Sequence, residues 1–191
     1  MELSNGFTIE DRESVTVVRF TRPRIRNPLS VEVLEGLIDA INGLSTDRLV
    51  FVGSDDVFAS GADLREIAGV DGSTAIEFAK RGQKLMSLIA SIDIRTIAAV
   101  NGYCYGGALD LALACDTRIA SPNAEFCHPG AGLGIMTGWG GTQRLPRLIG
   151  EAGALEMFLT GKKVSANEGL TLGLVDVIAA DPISAAIASC P

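Results

Sequence analysis

Histidine is almost missing from this chain, which has one in 191 residues, and basic residues are the minority, 16 Lys and Arg against 23 Asp and Glu. The formal net charge of −7 argues against a general electrostatic grip on nucleic acid or an anionic membrane, while leaving room for a local basic site for a phosphorylated ligand. A lone histidine, His128, has no partner imidazoles with which to build a metal centre. The four cysteines, Cys104, Cys115, Cys127 and Cys190, form no C-x-x-C pair. The start of the chain carries Glu2, Asp11 and Glu13 instead of a basic, then apolar leader. We therefore expect reduced thiols in a cytoplasmic protein, not a disulfide framework. No stretch reaches the roughly 20 apolar residues of a membrane span. The greasiest segment, around Ile97 to Val100, is interrupted at Asn101 and Gly102. Gly132, Gly134 and Gly138 do not make a G-x-G-x-x-G after a clean strand, and no G-x-S-x-G elbow exists, which speaks against a dinucleotide site and a serine-hydrolase site.

What remains is an ordinary globular composition, 47% hydrophobic and 20% charged, enough for one core in one domain over residues 1–191. Phe7 to Phe20, rich in Val and Thr, predicts a hairpin turning at Asp11 and Arg12. Val33, Leu34, Leu37, Ile38 and Ile41 recur at helical spacing between a Ser30 N-cap and Gly43. Arg48 to Gly53 predicts a buried strand, and Asp55 to Gly61 a loop. A helix is expected from Thr74, with Thr74 and Glu77 as a capping box, through Phe78, Leu85, Met86 and Ile89. Thr96 to Val100 is a second apolar strand, followed by a helix from about Gly106. Short strands at Thr117–Ala120 and Ala124–Cys127 lead to a glycine-dense loop, Gly130 to Gly141. Helical stretches follow near Thr142–Ile149, Ala152–Thr160 and Ala166–Leu172. The alternation predicts a layered α/β fold. The sequence shows no internal repeat and no interdomain linker.

Chemistry concentrates in two loops. In Ala98-Ala-Val-Asn-Gly-Tyr-Cys-Tyr-Gly-Gly-Ala-Leu-Asp110 an apolar strand runs through glycines into a helix. At such a junction free N–H groups and the helix dipole favour negative charge, so an oxyanion can sit there; tight strand–helix packing is the plainer use of the same glycines. Val57-Phe-Ala-Ser-Gly-Ala-Asp-Leu-Arg-Glu66 is a second small-residue loop after a buried strand. One N–H from each loop, aimed at a single carbonyl oxygen, would stabilise an enolate or a tetrahedral anion.

The stretches F-A-S-G-A-D-L-R-E, A-A-V-N-G-Y-C-Y-G-G-A-L-D-L-A-L-A-C-D, G-W-G-G-T-Q-R-L-P-R-L-I-G and E-M-F-L-T-G-K-K-V-S-A-N-E, in order, resemble the enoyl-CoA hydratase/isomerase (crotonase) family. The similarity runs from about Phe7 to Val177. It implies an α/β fold of the ClpP/crotonase kind, repeated ββα units with short C-terminal helices. It also implies an oxyanion hole for an acyl-CoA thioester made by the backbone N–H groups of Ala62 and Gly107, one such donor contributing about 3 to 4 kcal/mol. By the same resemblance Ser60, Ala62 and Leu64 would receive the adenine of CoA, with Arg24 and Arg65 near its phosphates; as plain surface charges both arginines would do little. Coenzyme A enters as part of the substrate, with no separate cofactor, and a homo-oligomer based on trimers is implied.

Typical hydratases of the family set two glutamates about the double bond, each contributing about 10²- to 10⁴-fold as general acid or base. Here Asp110 holds the first position and Gly130 the second. Asp110 is one carbon–carbon bond shorter, roughly 1.5 Å, against a hydrogen-bond window of about 2.6 to 3.2 Å. A bridging water or a shifted substrate is needed, or else Asp110 is merely structural. His128, two residues from Gly130, can substitute as acid or base or be a loop packing residue. Gly138 and Trp139 are placed to line an acyl pocket, a core role being the alternative for the tryptophan. Glu125 belongs on the opposite strand face from the site. The family's further C-terminal helical segment has no counterpart before Pro191, from which we expect either that those helices are dispensable or that the pocket is more open and the oligomer altered.

Three functions compete: an acyl-CoA enzyme stabilising a thioester enolate with Asp110 as its acid or base, hydrating or decarboxylating; a non-catalytic acyl-CoA binder, for which Gly130 and the short Asp110 speak; and a serine hydrolase using Ser60 and His128.

Overall fold

A hairpin opens the chain: β1 (Phe7–Arg12) pairs antiparallel with β2 (Val15–Phe20). The expected turn at Asp11 and Arg12 lies one step too early. Asp11 is still in register with Thr16, whose hydroxyl donates to its carboxylate at 2.8 Å, so the strand continues to Arg12. The computed structural model describes residues 6–12 and 14–188; the readings placed on Glu2, Glu13 and Cys190 fall outside them. The chain then runs through β3 (Pro28–Leu29), α1 (Val31–Asn42), β4 (Arg48–Val52), β5 (Val57–Ala59), β6 (Gly61–Ala62), α2 (Leu64–Ile67) and α3 (Ala75–Ser91). β7 (Arg95–Val100), β8 (Tyr103–Tyr105), α4 (Gly107–Ala114), β9 (Thr117–Ala120), β10 (Glu125–Cys127) and α5 (Gly141–Ile149) follow. α6 (Glu151–Thr160), β11 (Val164–Ser165), α7 (Ala166–Leu172), β12 (Val177–Ile178) and α8 (Pro182–Ala188) complete it.

Two sheets organise these elements. A six-stranded sheet has the order β1-β2-β4-β7-β9-β12, parallel from β2 onward, and a four-stranded sheet has the order β11-β10-β8-β5. Each of the pairs β4/β5, β7/β8 and β9/β10 sends its first strand to the large sheet and its second to the small one, and each is followed by helix. That is the ββα repeat the resemblance implied. It is a repeat of backbone geometry with no matching repeat of residues.

The inner strands of the large sheet, β2, β4 and β7, are largely apolar on both faces because both are covered. Phe20, Phe51, Leu37, Leu85 and Met86 fill the main core between sheet and helices. On the other face Val17, Val50, Val52, Ile97 and Ile119 pack against α8 around Ala186. Arg48 donates to the carbonyls of Ala186 and Ile187, satisfying acceptors that the end of a helix leaves open. No helix among the described residues is long and apolar enough to cross a membrane.

Several local expectations change. The Asp55–Gly61 loop contains β5 and part of β6, and the break after Val100 contains β8; β5 and β8 are held by pairing across the small sheet, and β6 by pairing with β3 in a separate two-stranded sheet. At the start of α3, Thr74 makes no side-chain cap; Asp71 accepts from the N–H groups of Ser73 and Thr74 in its place, so the capping box does not form. Ser30 does cap α1, accepting from the N–H of Val33.

Candidate active site

The two small-residue loops meet. Gly61 has φ +81° and Gly106 φ +56°, conformations that side chains disfavour, and both lie where the backbones of the loops touch. A Cβ built on Gly61 would stand 2.4 Å from the Gly107 nitrogen, and one on Gly107 would stand 3.4 Å from the Ala62 nitrogen. Bulk at either place is therefore excluded, and the Ala62 and Gly107 N–H groups lie side by side. Gly107 opens α4, where an N–H has no partner within the helix. The turn is tied from behind by the Gly106 N–H, which donates to the Cys127 carbonyl at 2.9 Å.

Asp110 stands one turn into α4, whose residues 108–114 are all buried. It is 0% exposed, which removes the possibility of a helix-surface aspartate. Its Oδ2 accepts from the Thr137 hydroxyl, and its Oδ1 lies 3.4 Å from Nε2 of His128, itself buried. Neither Oδ1 nor that Nε2 makes a hydrogen bond, to each other or to another group among the described residues. Burial pushes the Asp110 carboxyl up to about 7, against the Thr137 hydroxyl, the Arg144 charge and the backbone N–H groups of Trp139 and Gly141, which favour its ionised form. Burial pushes His128 down to about 4. Burial disfavours the charged form of both groups, so the pair is not held together as a salt bridge near neutral pH. A Cβ on Gly141 would fall 2.0 Å from Asp110 Oδ1, so the first turn of α5 closes on this carboxyl only because residue 141 is glycine.

A cavity of about 320 Å³ brings the two loops together with the far wall. Ser60, Ala62, Leu64, Gly106 and Gly107 border it on one side, and His128, Gly130, Thr137, Gly138 and Trp139 on the other. Phe78, Phe158 and Met136 add apolar surface. Asp110 does not border it; Thr137 stands between. Trp139 is both a wall and a core residue. Its ring fills the space beside Gly82 and Gly107, where a Cβ would come within 2.2 and 2.4 Å of it. The Gly138 carbonyl accepts from Gln83 at 2.8 Å. At Gly130 the loop folds back, its carbonyl accepting from the Ile135 N–H, and a Cβ would meet the Ile135 carbonyl oxygen at 2.5 Å. The loop as folded has no space for a longer side chain there.

The basic residues sit apart from this chemistry. Arg24 lies exposed in a short 3-10 turn, Pro23–Ile25, on a loop pinned by buried Asn27, whose amide donates to the carbonyls of Val57 and Phe58. Arg65 is paired with Asp63 through two contacts, 3.0 and 2.6 Å, with 79% of its side chain exposed. Glu125 bonds Tyr105 and Lys163, away from the cavity. Cys104, Cys115 and Cys127 are buried and unpaired. Sequence reading missed Thr137. Its one signal is a lone hydroxyl between Ile135-Met136 and the Gly138-Trp-Gly-Gly run.

A model of the family described as enoyl-CoA hydratase/isomerase matches residues 10–186. A crotonyl-CoA hydratase of Syntrophomonas wolfei is 39% identical over 89% of this chain and 67% of its own length. A short-chain-enoyl-CoA hydratase of Clostridium acetobutylicum is 36% identical over 93% of this chain and 70% of its own. Among solved structures, an enoyl-CoA hydratase from Bacillus anthracis superposes with a TM-score of 0.86 at 34% identity, covering 91% of this chain and 70% of that one. Pseudomonas aeruginosa DspI reaches a TM-score of 0.91 at 34% identity, over 96% and 78%. With its fold and its paired backbone loops, the chain belongs to the enoyl-CoA hydratase/isomerase family.

Proposed function

We propose that this protein is an enoyl-CoA hydratase that holds the thioester oxygen at the Ala62 and Gly107 N–H groups and uses Asp110 as its single acid–base carboxyl. The observation that carries this reading is the meeting of the two backbone loops at one apolar cavity, with a buried carboxyl bonded to Thr137 on its opposite wall. As water adds to the β-carbon, charge gathers on the thioester oxygen, where fixed donors stabilise it without reorganising. A carboxyl held near 7 both accepts and returns a proton at neutral pH, the condition for efficient general acid–base work. The relatives named as hydratases support the same reaction. Ser60 and Leu64, which border the cavity, suit the nucleotide end of the thioester, with Arg24 and Arg65 as basic residues for its phosphates, the charge of Arg65 being already engaged by Asp63. We also infer a single domain acting in a homo-oligomer, for which α6 offers Leu155 and Leu159, 57% and 60% exposed.

The test is turnover of a short trans-2-enoyl-CoA, read as loss of absorbance of the conjugated thioester. Hydration is the expected result. Gly130, which leaves no second carboxylate, favours one other reading: loss of carbon dioxide from a malonyl-type thioester, which forms the enolate without a base. Decarboxylation in the absence of hydration would replace the first reading, and tight acyl-CoA binding with neither reaction would identify a binder.

A further inference from the structure

The carboxyl that the chemistry requires has no surface in the cavity. Asp110 is 0% exposed, and the cavity wall in front of it is Thr137, a half-buried residue whose hydroxyl donates to Asp110 Oδ2. The carboxyl is clamped on every other side. Gly141 at the start of α5 leaves no space beside Oδ1, and His128 faces the same oxygen at 3.4 Å. The other charged or titratable groups acting on Asp110 are Arg144, from α5, and the buried thiol of Cys104, from β8. Swinging Asp110 into the cavity would break its hydroxyl bond and strip the charge of the N–H groups that favour it. A hydroxyl, by contrast, accepts one proton while donating another.

We propose that Thr137 is a catalytic residue: its hydroxyl carries protons between the buried Asp110 carboxyl and the acyl group in the cavity. This rests on the hydratase reading and supplies the reach that the shorter carboxyl lacks. In hydration, the attacking water gives a proton to Thr137 Oγ1 as the Thr137 hydroxyl proton passes to Asp110 Oδ2. The water oxygen bonds to the β-carbon, and the π pair moves to the α-carbon and thioester oxygen as an enolate held at Ala62 and Gly107. The relay then runs backward. Asp110 returns its proton to Thr137, the Thr137 hydroxyl proton goes to the α-carbon, and the enolate pair becomes the new C–H bond. Both residues end as they began, and one water has been added. His128 faces Oδ1 at 3.4 Å and fills the space on that side of the carboxyl.

Two readouts on Thr137→Val, which keeps the shape and removes the hydroxyl, test this against the wild-type protein, with Thr137→Ser as the conservative control. The first is kcat for hydration between pH 5 and 9. The second is exchange of the α-protons of butyryl-CoA in D2O, followed by proton NMR, which needs the relay but not hydration. Acyl-CoA affinity and the melting temperature, with Ser in place of Thr, separate loss of chemistry from loss of fold. We expect Thr137→Val to lose about 10²-fold or more in both rates with little change in affinity, while Thr137→Ser stays within about tenfold. Removing the hydroxyl also raises the Asp110 pKa, because that bond favours the ionised form. If Thr137 only tuned Asp110, the variant would regain wild-type kcat at high pH, and that recovery overturns the relay. So does wild-type hydration left intact in Thr137→Val, including the case where His128→Ala alone abolishes it. Wild-type exchange without hydration, lost in Thr137→Val, would sink the hydratase reading and keep the relay; neither rate in the wild type sinks both.

Discussion

The two walls of the cavity are held in place by different physics. On the side we propose for the oxyanion the groups are main-chain N–H groups, and their placement follows from steric exclusion: no Cβ fits at Gly61 or Gly107. On the acid–base side they are side chains, Asp110, Thr137 and His128, whose behaviour follows from burial. The first wall tolerates almost any chemistry in its side chains but no added volume. The second is just as closed to added volume at Gly130 and Gly141, and depends besides on which atoms carry protons. A family fold can therefore keep its thioester cradle while the proton-transfer groups opposite it change.

The largest effect should come from adding volume to the first wall. Gly107→Ala drives a methyl into the Trp139 ring, 2.4 Å away, and displaces a donor N–H. We expect kcat/KM to fall about 10²- to 10³-fold, the usual loss of one oxyanion donor, together with a lowered melting temperature. Steady-state kinetics and thermal melts on the one variant measure both.

Next is the supposed missing carboxylate on the second wall. If Gly130 were simply a lost glutamate, Gly130→Glu would raise hydration. The Cβ would instead stand 2.5 Å from the Ile135 carbonyl oxygen, so the fold-back of residues 130–135 must open. We expect the variant to be less stable and no faster than the wild type; a clear gain in kcat would show that the loop accommodates the side chain freely.

A subtler test uses pH and stability. The Asp110 carboxyl is raised from 3.8 to about 7, so the folded state holds a proton that the unfolded state has lost, and its contribution to stability falls as pH rises through that window. His128 is lowered from 6.5 to about 4, so its contribution is lost as pH falls through its own window. Between about pH 4 and 6.5 the two slopes oppose each other and should nearly cancel. Asp110→Asn should unmask the histidine, making the protein lose stability on acidification, and His128→Asn should unmask the aspartate, making it lose stability as pH rises toward 7. Urea unfolding midpoints across this range report the slopes; identical profiles in all three proteins would mean the two groups are not buried as described.

The smallest effect is expected at the nucleotide end. Arg65 already has its charge engaged by Asp63 and is largely exposed, so Arg65→Ala should change KM for an acyl-CoA by less than about fivefold, in line with the modest worth of surface charges. Arg24→Ala should change it more.

How much of this was visible in the sequence follows the same division. α1 and α3 declared themselves because their buried residues recur at helical spacing over about two turns. The proposed cradle was legible only through the ordered motifs of the family resemblance, since the glycines at 61, 106 and 107 taken alone serve equally for tight strand–helix packing. Strands such as β5, β8 and β11 were not, since two or three residues carry no periodicity and pair only once the small sheet exists. The depth of Asp110 was half legible: Ala108 to Ala114 is apolar apart from this one carboxyl, the pattern of a helix buried on all sides. Thr137 was not, because its meaning depends on Asp110, 27 positions away in sequence and joined to it only by the fold.

The account rests most directly on one carboxyl sufficing. Hydration of a short trans-2-enoyl-CoA should therefore be measured for the wild type and Asp110→Asn side by side, with acyl-CoA affinity determined for each. The account predicts a wild-type rate that drops at least about 10²-fold in the variant while affinity is preserved. Equal hydration by the two proteins, or none by the wild type, would contradict it.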